Sequence, residues 1–167
     1  FTSPNEIQKF LDNSSDFNCI PRGLGRSYGD AAQLSENYVL NLDFCDGIFL
    51  EGNEVTVGGG VSINQLLKVI IPQGFFLPVS PGSSKVTLGG AIAADVHGKN
   101  HHKNGSIGNH IKRILILTGN GEIKELQPTK NDDKKMDEFF WATIGGMGLT
   151  GIILEATISL INIETSS

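Results

Sequence analysis

Residues 86–110 read VTLGGAIAADVHGKNHHKNGSIGNH, and the fold turns on how this stretch is read. Thr87 is placed to cap a short helix, its side-chain oxygen accepting from a backbone N–H one turn on. Gly89 and Gly90 remove side chains from that first turn, so a large ligand can lie against bare backbone amides. Ala91, Ile92, Ala93 and Ala94 keep the helix thin behind it. His97, Gly98, Lys99, Asn100, His101 and His102 then form a polar, charged strip with a glycine hinge. Beside an anion-binding turn, such a strip has the composition of the reactive edge of a cofactor site.

The totals bound what surrounds this stretch. At 167 residues the chain can bury one good core, or two small lobes sharing one. Its 21 glycines cluster rather than repeat, which excludes collagen-like and linker compositions and favours backbone approach to a ligand. A net charge of −5 argues against nucleic acid as a partner. Cys19 and Cys45 have neither CxxC spacing nor the density of a disulfide scaffold, so both are expected as free thiols. No apolar run reaches the roughly 20 residues that span a bilayer. Because the chain starts at Phe1 and stops in a polar tail, residues 1–167 are expected to be one domain of a longer protein.

In chain order, Ser3, Pro4, Asn5 and Glu6 form a capping box with proline at the first helical position, opening a short helix to about Asp12. Residues 17–21 read as a buried strand that runs into Arg22, Gly23, Leu24, Gly25, Arg26, Ser27, Tyr28, Gly29 and Asp30. Alternating glycines after a strand make a tight turn whose N–H groups converge on an anion, and Arg22 and Arg26 add charge-assisted bonds to it. Three residues separate Gly25 from Gly29, so the spacing is not GxGxxG, and no long helix follows; a Rossmann fold is excluded. Residues 38–42 are a strand, and 47–50 and 54–57 flank Glu51-Gly52-Asn53 as a hairpin, which Gly58-Gly59-Gly60 ends. Ser62 and Gln65 form a second capping box, for a helix burying Leu66, Leu67, Ile70 and Ile71 and ending at Pro72. Residues 75–77 form a short strand, and 78–84 a stiff loop leading to the central stretch. A strand from Ile111 to Thr118, a type I′ turn at Asn120-Gly121 and a returning strand to Leu126 follow. Residues 128–137 read as a charged loop, with Phe139, Phe140 and Trp141 in a short helix. A further glycine loop, residues 145–151, leads into the strand 152–161. The fold class is α+β.

Three segments, PRGLGRSYGDAA, GGAIAADVHGKNHHKNGSIGNH and FFWATIGGMGLTGIILEATI, resemble in order the FAD-binding domain of the vanillyl-alcohol-oxidase-type (PCMH-type) flavoproteins. Within these the chain is similar to the decaprenylphosphoryl-ribose 2-oxidase group. The resemblance implies two small α/β lobes with mixed sheets and short helices, holding FAD. It implies that Pro21 and the loop from Arg22 to Asp30 wrap the pyrophosphate. Gly82 and the turn Thr87, Leu88, Gly89 and Gly90 complete the diphosphate and ribityl contacts. His97, Gly98, Lys99 and Asn100 lie along the flavin, with His97, Lys99 and Tyr28 toward the substrate as the catalytic set. Gly151 and Ile152 meet the adenine end through backbone atoms. Many covalent flavoenzymes of this fold carry histidine where this chain has Arg26, so a non-covalent FAD is expected.

The four histidines also suggest zinc, but no thiolate or carboxylate completes a tetrahedron, and no metal is expected. His101, His102 and His110 are equally well read as polar loop residues. The resemblance implies oxidation of a secondary alcohol of a sugar, namely a polyprenyl-phosphate pentose, within a 2-epimerisation for cell-wall arabinose. A base takes the hydroxyl proton, and a short-chain reductase partner completes the sequence. The substrate domain is expected to follow this one. The expected compartment is the cytoplasm, with membrane association open for the full-length protein. Alternatives are an aldonolactone or sugar-alcohol oxidase, an NADPH-dependent cell-wall sugar-nucleotide reductase, and a non-catalytic module binding a nucleotide or phosphosugar.

Overall fold

The computed structural model describes residues 3–12, 18–128 and 134–164. Its elements in chain order are α1 (Pro4–Asp12), β1 (Cys19–Arg22), β2 (Tyr38–Asn41), β3 (Ile48–Glu51), β4 (Glu54–Gly58), α2 (Ile63–Ile70), β5 (Phe75–Phe76) and α3 (Leu88–Ala93). They continue with α4 (His101–Asn104), β6 (Ile111–Leu117), β7 (Ile123–Leu126), α5 (Lys134–Thr143), β8 (Ile152–Ser159) and β9 (Ile161–Asn162). A five-stranded antiparallel sheet in the order β3-β4-β8-β6-β7 carries them. Two small pairs flank it: β1 and β2, which run parallel, and β5 and β9. The fold is α+β, and among the described residues parallel pairing is confined to β1–β2.

The strand β8 sits at the centre because it is apolar on both faces. Ile153, Ala156 and Ile158 join the larger core, together with Leu66, Ile92 and Phe140. Ile152 and Leu154 join a smaller cluster on the opposite face, with Ile7, Leu40 and Cys45. Strict alternation would leave 154 and 156 on one face. A register shift against β6 between Leu115 and Ile116 leaves Leu154 as the extra residue, so the buried parity changes there. One strand thereby serves two cores.

Local signals were met closely where capping chemistry sets them. The Ser62 side chain accepts from Gln65 N–H at 3.2 Å, and Gln65 Oε1 accepts from Ser62 N–H at 2.9 Å. Ser3 Oγ accepts from Glu6 N–H at 3.4 Å at the start of α1. Other expectations need correcting. Ile71 is 44% exposed, because α2 stops at Ile70 and Pro72 draws the chain into a 3₁₀ turn that takes Ile71 off the apolar stripe. The 118–122 turn is not type I′: the positive φ falls on Gly121 at 81°, and Asn120 has none. Gly121 N–H donates to Thr118 O and Thr118 N–H to Glu122 O, the pattern of a type I turn followed by a glycine bulge. The charged segment 128–137 is not all loop, since α5 begins at Lys134 and carries Phe140 into the core. Its charges made a solvated helical turn resemble a loop. The proposed strand start at Phe17 lies outside the described residues. Among the described residues no helix is long and apolar enough to cross a membrane.

Cys45 shows what the smaller cluster does to a titratable group. Burial, helped by Asp46 and Glu155, pushes its thiol up from 9.0 to about 12. The unfolded chain ionises at the lower value, so it sheds a proton that the native state keeps. Stability is therefore expected to fall as pH rises from 9.0 toward about 12, and to be unaffected by this group below that window. Urea melts of the wild type and Cys45→Ala in mildly and strongly alkaline buffer check this. The variant should lose less stability between the two conditions.

Candidate cofactor-binding site

Two glycine loops and one short helix meet at an end of the sheet. Thr87 caps α3 as expected, its Oγ1 accepting from Gly90 N–H at 3.2 Å. The helix start is anchored from behind. Thr87 bridges to Ser62, the cap of α2, and Gly89 N–H donates to Gly59 O at 2.9 Å. Across this start runs the loop 22–30. A Cβ on Gly23 would overlap the Thr87 side chain, so the loop can approach only without one. Gly25 turns at φ 60° directly over the Arg22 guanidinium, which folds beneath its own loop. From the other side the loop 145–151 hooks onto the end of α3. Gly145 N–H donates to Ile92 O at 3.0 Å and Met147 N–H to Ala93 O at 2.8 Å.

Between these parts lies a cleft of about 730 Å³. Pro21, Arg22, Gly23, Leu24, Gly25, Arg26, Ser27 and Tyr28 line it, as do Gly82, Thr87, Gly89, Gly90 and His97. A second cleft, about 800 Å³, lies beside it, walled by Phe76, Leu77, Pro78 and Ile161 and by Gly98, Lys99, Asn100 and His101. Pro81, Gly82 and His97 belong to both. The His97 strip is held firmly on its inner side. Asn100 Nδ2 donates to Pro78 O at 3.0 Å, and His97 pairs with Ser106 in an isolated antiparallel bridge. The His97 and His101 rings are 5.3 Å apart.

Not every candidate residue reaches a cleft. Gly29 and Asp30 line neither, and Leu88 is fully buried in the larger core. Ile152 faces the smaller cluster, and its neighbours Gly151 and Ile153 line the cleft instead. His102 is exposed on α4, and the His110 ring nitrogen lies 2.8 Å from Asn104 O. Among the described residues no three His, Cys, Asp or Glu side chains converge as a metal would require. Sequence reasoning missed Asp95 and Met147, both of which line the cleft of about 730 Å³ at positive φ. Asp95, at φ 42°, turns the chain from α3 into the His97 strip, and its Oδ1 accepts from Gly108 N–H at 3.0 Å. Nothing in the local pattern marks it. Met147 was visible within GGMG, but no role was attached to it.

The arrangement fits a dinucleotide. Its volume lies in the range of roughly 300–1,000 Å³ usual for ligand pockets. Its floor is bare backbone at Gly23, Gly89 and Gly90, its wall is Ala91, Ala93 and Ala94, and two arginines stand on the glycine loop 22–30, a composition suited to an anion. The model of the FAD binding domain family matches residues 1–127.

The chain belongs to that family.

As a member of the FAD-binding domain family it takes FAD, and the loop 22–30 and the α3 turn both fall within the matched residues. It is 49% identical to a decaprenylphosphoryl-beta-D-ribose oxidase of Mycolicibacterium smegmatis over 150 residues, 88% of this chain and 32% of that protein. It is 28% identical to a D-arabinono-1,4-lactone oxidase of Kluyveromyces lactis, over 83% of this chain and 26% of the relative. A D-lactate dehydrogenase of Anaerostipes hadrus is 29% identical, over 64% of this chain and 22% of its own. The chain thus spans about a third or less of these relatives.

Proposed function

We propose that this domain holds FAD for an oxidoreductase that oxidises a secondary alcohol of a sugar, with a polyprenyl-phosphate pentose as the substrate class. One observation carries the reading. The cofactor cleft shares His97 and Gly82 with a second cleft that combines the Lys99 ammonium with an apolar wall. The 49% identity to the ribose oxidase supports the substrate class.

The residues divide the work. Arg22, Arg26 and the backbone of their loop hold the diphosphate. The alanines of α3 exclude water behind the ring system. Bound flavin supplies a two-electron acceptor. Lys99 places an ammonium at the second cleft, where it stabilises negative charge that develops during oxidation. His97 is exposed at the junction of the clefts and takes the hydroxyl proton at an imidazole nitrogen. Tyr28 is 98% exposed at the cleft mouth and offers its phenol to a substrate from that side. A keto sugar is the product, so a reductase of the short-chain kind is the fitting partner for an epimerisation.

The FAD is held without a covalent bond. Among the residues 21–28 that line the cofactor cleft there is no histidine, and a guanidinium such as that of Arg26 does not form a covalent bond to a flavin ring. Acid precipitation of the flavin-loaded protein should therefore release the yellow chromophore to the supernatant. Flavin retained in the pellet would overturn this assignment. The lactone oxidase similarity favours one rival, an aldonolactone as substrate. Profiling flavin bleaching in the full-length protein with pentose phospholipids against aldonolactones separates the two. Binding without bleaching by either would point to a non-catalytic module.

A further inference from the structure

Among the described residues, three besides glycine adopt a positive φ: Glu36, Asp95 and Met147. Glu36 lines neither cleft. Asp95 has a local reason for its conformation, since its carboxylate bonds Gly108 N–H and Asp tolerates this region. Met147 has no such reason. At φ 53° it lies between Gly145 at 75° and Gly148 at 81°, where a third glycine would be unstrained. An unbranched apolar side chain in this conformation costs folding energy and has no polar atom with which to offset it locally. Burial does not offset it either, because Met147 is 53% exposed. Its backbone is held by the bond to Ala93 O, and its neighbour Gly148 faces Pro21. Met147 lines the cofactor cleft together with Gly148 and Gly151, and none of the three lines the second cleft.

We infer that the Met147 side chain covers the adenine ring of the bound cofactor. This rests on FAD as the ligand and on the flavin lying at the shared His97 end. A thioether is polarizable, adapts its shape and makes favourable contacts with aromatic rings. An exposed methionine held open at a cleft mouth gains such a contact only when a ring arrives. The strain of the empty loop and the contact in the filled one then have a common cause.

The test uses the full-length protein stripped of flavin, with Met147→Asn, Met147→Gly and Met147→Leu. Asparagine and glycine suit the left-handed region, so the melting temperature of the flavin-free protein should stay level or rise. Affinity for FAD and for ADP should fall about three- to tenfold in both variants, while FMN binding is unchanged. Leucine keeps the apolar cover and should retain most of the affinity. Unchanged FAD and ADP affinity in the Asn and Gly variants would overturn the inference. So would a loss confined to FMN, or a leucine variant as weak as glycine. A wild-type protein that takes up no FAD would instead remove the cofactor reading itself.

Discussion

Gly59→Ala is expected to lower stability by about 3 kcal/mol, the upper end of ordinary overpacking. For a chain of this size that is a fall in melting temperature of roughly 6–12 °C. The reason is the obstacle, not the conformation. A Cβ at Gly59 would overlap the Ile153 carbonyl oxygen, an atom of the central strand that has no rotamer to change. Gly59 also donates to Leu154 O at 2.8 Å and accepts from Gly89 N–H, so movement there displaces β8 and α3 together. FAD affinity should fall in the same variant. Gly119→Ala is the control, since its Cβ would meet open space. It should leave both quantities close to the wild type. A Gly59→Ala protein as stable as that control would show that the sheet and the helix start yield more easily than described.

Lys99→Met in the full-length enzyme is expected to reduce kcat by on the order of 10²-fold, the effect typical of removing one preorganised electrostatic group. FAD affinity should change little, because Lys99 lines the second cleft and not the one proposed for the dinucleotide. Methionine preserves the length and apolar stem, so the substitution removes charge with little change of shape. Lys99→Arg should restore part of the rate. Single-turnover bleaching of the flavin, followed beside steady-state kinetics, separates the chemical step from binding. A rise in KM with kcat intact would reassign Lys99 to substrate binding alone.

Short-range chemistry was legible in the amino-acid sequence. The Ser62–Gln65 box, the Thr87 cap, the 51–53 hairpin and the Arg22-to-Tyr28 glycine loop each depend on residues within a few positions of one another, so their signals survive in one dimension. Where two local readings compete, the sequence was less decisive. Asn-Gly suits a type I′ turn, yet Thr118 and Glu122 closed a wider turn around Gly121. A run of charges suggested a loop, yet Phe140 had a core to reach and drew the last of those charges into a helix.

By itself the sequence determined most of the parts that line the cleft and what they are made of. Glycine, alanine and arginine at fixed spacings carry that information because backbone access and anion binding are local properties. Only the tertiary structure decided how those parts combine. The bulge at Leu154 splits β8 between two cores, Gly59 stacks under the start of α3, and Met147 hooks onto Ala93 beside the cleft it lines. Each is a contact between segments tens of residues apart. Pairing energy chooses such contacts only when the whole sheet is assembled, so no short window of sequence contains them.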